Sequence, residues 1–214
     1  DIMNIRIDRR RKFPISSLFK ALGYTNVDIL NFFYEKEEVV KKDGTYFKQF
    51  SPERLRRQRA SYDVKSPESG EVVVKKGRIF TKRALRQLQT EGLEYIPIKE
   101  EELIGKSFAE TYASEQGEEV IAEAGSLIDE TVLETIEEKG LDTFSILYVN
   151  PNSSDAMRKT LAVDKIGTRE EALIDIYKRM RPGNPATIEV AQEFIDHMFF
   201  RHAYYDLSKV GRLK

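Results

Sequence analysis

A unit written twice constrains this chain more than any other feature. VVVKKGRIFTKRALRQLQTEGLEYIPI runs from Val72 to Ile98, and VIAEAGSLIDETVLETIEEKGLDTFSI from Val120 to Ile146. Each copy reads as a short apolar strand, a glycine (Gly77, Gly125), a β-like pair (Ile79-Phe80, Leu127-Ile128) and a polar cap (Thr81, Asp129). An amphipathic helix, a second glycine (Gly92, Gly140) and another apolar strand complete the unit. The two glycines stand 15 residues apart in both copies, and Ile98 and Ile146 each fall 6 residues past the second. Shared punctuation around largely unrelated side chains marks a duplicated strand-turn-helix-strand unit over 72–98 and 120–146. Two copies are too few for a solenoid, so a compact pair is expected, with Gly77 matching Gly125 and Gly92 matching Gly140.

The rest of the middle is also β-rich. Glu38-Val39-Val40 and Tyr46–Phe50 flank Lys42-Asp43-Gly44, a hairpin signal because Asp-Gly accepts the positive φ of a tight turn. Ser51–Arg59 is a basic run, and Ser66–Gly70 a surface turn into the first copy. Between the copies, Phe108–Tyr112 reads as a strand and Gln116-Gly117-Glu118 as a turn. The first copy is basic (Lys75, Lys76, Arg78, Lys82, Arg83, Arg86), whereas 115–140 holds nine Asp or Glu and one Lys. The ordinary meaning of such a split is two solvated faces that also resist self-association.

The two ends have a different, helical texture. Ile5 and Ile7 alternate with Arg6 and Asp8 as in a half-buried strand, and Arg9, Arg10, Arg11 and Lys12 follow as four consecutive cations. Pro14 suits the first turn of a helix carrying Leu18, Ala21 and Leu22, with Gly23 as its stop. Thr25 and Asp28 have capping-box spacing, before a helix expected to bury Val27, Leu30, Phe33 and Phe32. After the turn-rich Asn150–Asp155, Thr160–Val163 reads as a strand. Thr168 and Glu171 then box the start of a helix burying Ala172, Leu173, Ile176, Tyr177 and Met180. Pro182-Gly183 breaks it, and Thr187 caps a last helix bearing Val190, Ala191, Phe194, Ile195, Met198 and Phe199. The chain closes on the basic Tyr204–Lys214 segment. It starts inside a strand-like run and stops in a basic one, so it is expected to be part of a longer chain.

Composition removes several chemistries. With no Cys, disulfides, thiolate metal sites and cysteine nucleophiles are excluded, and only His197 and His202 are available for histidine chemistry. His197 fits the apolar face or margin of the last helix, where a structural role is expected. No window reaches the ~18 apolar residues of a membrane span, and no signal-like start is present. The glycines form neither GxxxxGK[ST] nor GxGxxG, and no carboxylate spacing singles out a metal or acid/base set. What remains is cationic. Arg9–Lys12, Arg179 with Arg181 beside Pro182-Gly183, and Arg212 with Lys214 form three basic corners in the terminal segments, and forked guanidinium donors suit phosphates.

Four stretches are similar to a known family. RIDRRRKFP (Arg6–Pro14), ALGYTNVDILNFFYE (Ala21–Glu35), IYKRMRPGNP (Ile176–Pro185) and YDLSKVGRLK (Tyr205–Lys214) closely resemble the lobe domain of bacterial DNA-directed RNA polymerase β subunits. PERLR at Pro52–Arg56, RQL at Arg86–Leu88 and LAVD at Leu161–Asp164 extend the likeness across the middle. The resemblance implies an α+β chain: a partial helical lobe formed by 1–33 and 158–214, with a lineage-specific β-rich module inserted over 34–157. It implies a non-catalytic role in a nucleotidyltransferase, lining the DNA cleft beside non-template and downstream DNA. Asp8, Arg9, Arg10, Arg11, Arg181 and Arg212 would face that DNA, and the insertion would offer a protein-docking surface. No cofactor is implied for this chain. The Mg²⁺ of the complete enzyme, with its Asp triad, belongs to the other large subunit.

Implied partners are the α, β′ and ω subunits, σ factor and DNA, with nascent RNA only through the complete enzyme. A bacterial cytoplasmic, nucleoid-associated location without membrane contact is implied, and this chain alone would be monomeric and inactive. The competing expectation is a free-standing interaction module, 34–157, with incidental basic ends.

Overall fold

A computed structural model describes residues 1–7, 10–114, 119–150, 154–201 and 210. The chain begins with β1 (Asn4–Ile5), antiparallel to β2 (Phe13–Pro14), with Ile5 opposite Phe13. Helix α1 (Ile15–Ala21) starts one residue later than expected. Pro14 is held in the β1–β2 ladder with ψ at 135°, so it caps the helix instead of entering it. Gly23, at φ +99°, ends it. The Thr25–Asp28 box forms before α2 (Asn26–Phe33): the Asp28 amide donates to Thr25 Oγ1 (3.1 Å) and the Thr25 amide to Asp28 Oδ2 (2.9 Å). The buried residues of α2 are Ile29 and Leu30. The expected burial of Phe32 and Phe33 is not realised. Both are exposed, stacked edge-on at 5.2 Å, and Val27 is only half-buried. Packing of α2 on its neighbours is set by the Ile29-Leu30 stripe, which turns Phe32 outward into a surface cluster with Phe19, Tyr24 and Phe33.

The middle follows as β3 (Glu35–Lys42), β4 (Thr45–Gln49), α3 (Pro52–Leu55), β5 (Val64–Lys65), β6 (Val72–Val74), α4 (Lys82–Thr90) and β7 (Tyr95–Ile98). Then come β8 (Tyr112–Ala113), β9 (Val120–Ala122), α5 (Glu130–Glu138) and β10 (Thr143–Tyr148). The β3–β4 hairpin turns through Asp43 at φ +49° and Gly44 at φ +74°, as an Asp-Gly turn requires. It forms the centre of an antiparallel four-stranded sheet of order β10-β3-β4-β7.

Each outer strand belongs to one copy of the repeat. Phe144 of β10 sits on Val39, Ile96 of β7 sits on Lys48, and Val39 and Lys48 face each other. The arrangement is therefore pseudo-twofold about the centre of the hairpin.

The duplication holds bond for bond at a constant shift of 48 residues, the separation of Val72 and Val120. Val64 pairs with Val74, as Tyr112 does with Ala122. The Gly77 amide donates to Ala60, as that of Gly125 does to Phe108; the Phe80 amide donates to Gln58, as that of Ile128 does to Lys106. Thr81 Oγ1 and Asp129 Oδ1 cap α4 and α5 by accepting from Ala84 and Val132. Gly77 and Gly125 have φ of +78° and +86°, and Gly92 and Gly140 of +72° and +69°.

Two expectations change here. Each unit starts earlier than 72 or 120, because α3 and a 3-10 turn at Glu100–Glu102 occupy equivalent places. Phe108–Tyr112 is not a continuous strand: Phe108 makes an isolated bridge to Ile146, and ladder pairing begins at Tyr112. The expected turn at 116–118 lies outside the described residues.

The chain returns as α6 (Ala156–Val163), where a strand was expected from Thr160 to Val163. Thr160 Oγ1 donates to the Ala156 carbonyl one turn back (2.7 Å), so the β-branched residue is absorbed into a helix. Helix α7 (Arg169–Met180) has the full Thr168–Glu171 box and buries the five residues expected of it. Helix α8 (Ile188–Phe200) buries Ala191 and Ile195; Phe194 and Met198 are half-buried, and Val190 and Phe199 are exposed.

Two compact units result, Asp1–Phe33 with Asn150–Lys214, and Tyr34–Val149. The sequence-based boundary at 158 falls inside α6, so the return to the first unit begins earlier. In the first unit, Phe13, Leu18 and Ala21 pack against α7 and α8 residues including Leu173, Ile176 and Ile195. In the second, the apolar positions of both repeat copies share one core with Val39 and Tyr46. Among the described residues, no helix is long and apolar enough to cross a membrane.

Candidate nucleic-acid interface

Two cationic stretches of the first unit stand out in the sequence, 10–12 and 179–181. The Arg10 amide donates to the Ile7 carbonyl (3.0 Å), and Arg10, Arg11 and Lys12 are all exposed. Phe13 follows and is buried, so this run is anchored directly at its C-terminal side. The second stretch ends α7. The Arg181 amide donates to Tyr177 (2.8 Å), Asn184 donates to the Arg181 carbonyl (3.3 Å), and Gly183 takes φ +91°.

Aromatic faces fix the two guanidinium groups. Arg181 Cζ lies 5.5 Å over the Phe194 ring, and Arg179 Cζ lies 5.8 Å over Phe13, the residue next to Lys12. Arg179 also donates to Asp175 Oδ2 (2.6 Å). The Arg179 guanidinium thus lies on Phe13, the residue that follows the exposed Arg10, Arg11 and Lys12, while Arg181 lies on Phe194 of α8. That position of Arg179 was not legible, because nothing in sequence links it to Phe13. Asp8, Arg9 and Arg212 lie outside the described residues.

Exposed cations of this kind can neutralise phosphates and exchange their counterions, and such contacts carry no sequence information directly. Arginine is suited to it, since the planar fork stays charged and can stack on an aromatic ring while donating outward.

Among the described residues, no group of three or more His, Asp or Glu is arranged to hold a metal ion. The Tyr46 hydroxyl is pushed far up, first by burial and then by the charge of Glu137, which accepts its hydrogen bond at 3.1 Å. Glu137 is itself held below the usual carboxylate range, chiefly by Lys41. The tyrosine stays protonated and the carboxylate ionised across neutral pH, which suits a structural cluster rather than proton transfer. His197 is half-buried, 3.7 Å from Glu193 on its own helix.

Similarity to known proteins extends over the whole chain. Residues 145–214 match the family described as RNA polymerase Rpb2, domain 2. The full chain is 66% identical to a segment making up 15% of the DNA-directed RNA polymerase subunit beta of Desulforapulum autotrophicum. It is 52% identical to 16% of that subunit from Desulfosudis oleivorans and 44% identical to 16% of that from Syntrophobacter fumaroxidans. The chain therefore spans about one-sixth of the length of these curated relatives.

Proposed function

We propose, for a chain that belongs with the β subunits of bacterial DNA-directed RNA polymerase, that its first unit is a non-catalytic lobe element lining the DNA cleft. What supports this is the exposed run Arg10, Arg11 and Lys12 leading into Phe13, with Arg179 lying on the Phe13 ring and Arg181 on that of Phe194. These cations would hold the phosphates of non-template and downstream DNA; Asp8, Arg9 and Arg212, which the resemblance also assigns to DNA contact, lie outside the described residues. The second unit, 34–149, is read as the inserted module, with a docking role of its own. In the complete enzyme the chain would work with α, β′, ω and σ in the bacterial cytoplasm, and the Mg²⁺ chemistry would reside in the other large subunit.

The test uses the complete polymerase. Replacing Arg10, Arg11 and Arg181 with alanine should weaken open-complex formation and flatten its salt dependence by about 0.9 per lost phosphate contact. Open complexes that form normally, with an unchanged salt slope, would remove the cleft assignment.

A further inference from the structure

We infer that the first repeat copy carries a second, separate surface for the phosphate backbone of duplex DNA, built around Arg57. The pseudo-twofold repeat makes the case, because the two copies repeat their strand pairs and backbone hydrogen bonds at a constant shift of 48 residues. Arg57 stands in the left-handed region at φ +71°, and its counterpart 48 residues on is Gly105, at φ +80°. A left-handed position is the natural place for glycine and carries a backbone penalty for any L side chain. The second copy uses the unstrained residue; the first accepts the penalty and places a cation there. Persistent strain of this kind is a pointer to function.

The neighbours of Arg57 are cationic as well. Arg56 and Arg59 flank it, and the fold lays this segment against Gly77–Phe80: Arg59 bridges Ile79, Ala60 accepts from the Gly77 amide, and the Ala60 amide donates to the carbonyl of Arg78. Arg59 Nη1 is tied to the Gly77 carbonyl (2.9 Å), while Lys76 extends over the Tyr62 ring at 5.8 Å. Where Lys75 and Arg78 stand, the second copy has Glu123 and Ser126.

The same contrast appears at the helices. Lys82 and Arg83 open α4 where Glu130 and Thr131 open α5. A helix start favours acidic residues, so two cations there are unfavourable in the free chain and are relieved by an external anion. Arg56, Arg57, Arg59, Arg78, Lys82 and Arg83 are all exposed, and among the described residues none is given a carboxylate partner.

Duplex DNA fits this surface better than an acidic protein. Its exposed large apolar side chains are Tyr62, Val72 and Ile79, too few for the desolvated anchor cluster of a protein interface. A charge-dominated face matches a line of phosphates and predicts binding without sequence preference. This surface lies within the second unit and does not depend on the terminal edge.

Anisotropy titrations of the 214-residue chain with a fluorescein-labelled duplex, and with a fluorescent poly-glutamate peptide of equal charge, test the inference across a salt series. Replacing Arg56, Arg59 and Arg78 with alanine and Arg57 with glycine should weaken duplex binding at least roughly tenfold and reduce the salt slope by about 3–4. Unchanged thermal unfolding of the variant verifies that it folds. Alanine at Arg10, Arg11 and Arg181 should leave this component in place. Duplex binding unaffected by the four substitutions overturns the inference, and if the terminal variant then abolishes binding, the terminal reading stands alone. Tighter binding of poly-glutamate than of duplex, lost in the four-substitution variant, also overturns it in favour of a protein partner.

Discussion

The ammonium of Lys20 stands 3.3 Å from the carboxylate of Asp164, with both side chains almost fully buried. The pair ties α1, before the excursion into the second unit, to the end of α6 after it. Asp164 is otherwise satisfied by Ser16 Oγ (2.6 Å) and the Ile166 amide (3.1 Å), and Lys20 donates to the Ile166 carbonyl (2.5 Å). Such a pair contributes little net stability over an apolar replacement, but breaking one side leaves an uncompensated buried charge.

Lys20→Met is therefore expected to destabilise the first unit by about 3–5 kcal/mol, while Lys20→Met with Asp164→Leu should recover much of the loss. Urea unfolding followed by tryptophan-free probes, such as tyrosine emission or amide exchange, reads this directly. Amide protection in 34–149 should be unaffected. Equal losses in the single and double variants would show that the pair is not what holds the two segments.

The strain at Arg57 has a stability signature of its own. Arg57→Gly should stabilise the second unit by about 1 kcal/mol, because it removes the left-handed penalty. Gly105→Ala, where nothing lies within 4 Å of an added Cβ, should cost a similar ~1–2 kcal/mol for backbone reasons alone. Opposite signs at these two equivalent positions in thermal unfolding are the expected outcome. The same sign at both would mean that φ is not what distinguishes them.

Much of this architecture was legible because it is written in punctuation. The paired glycines, Thr81 and Asp129, the Asp43-Gly44 turn and the Thr168–Glu171 box are local devices, and each acts where its residues stand. The true start of each repeat was hidden, because over Pro52–Val64 and Glu100–Tyr112 the copies share almost no side chains and are matched only by backbone bonds. Thr160–Val163 was misread because β-branched residues suggest a strand, whereas contacts of Thr160 within α6 decide for helix. Phe32 was misread because hydrophobicity alone does not tell an inward stripe from an exposed cluster. At the candidate site the cations are visible singly in sequence; the contact of Arg179 with Phe13 needs the packing of β2 on α7.

Acid should act at Asp155. Hydrogen bonds from Arg158 (2.7 Å each) hold its carboxyl below the ordinary 3.8, against an opposing effect of partial burial. A carboxyl depressed in the folded state contributes its stability above the unfolded pKa and loses it as pH falls through the folded value. The contribution is therefore intact at neutral pH and is lost only below 3.8. Carboxyl NMR titration should give a midpoint below that value, moving upward in Arg158→Ala. An unchanged midpoint in that variant would assign the depression to another cause.

The repeat pair should melt as one body. Leu85 and Leu133 occupy equivalent places in α4 and α5, and both belong to a single buried cluster that also takes in Val39 and Tyr46 of the central hairpin. Where one copy carries a small residue the other carries a large one, as with Ala60 and Phe108 or Ala122 and Val74, so neither copy fills its core alone. Leu85→Ala and Leu133→Ala should each cost about 2–5 kcal/mol through lost burial and the remaining cavity. Because the core is shared, either change should lower amide protection in both copies together, from β5 and β6 through β8 and β9. Loss confined to the substituted copy would mean that the duplication makes two neighbouring domains, each with its own core, and not one pseudo-symmetric module.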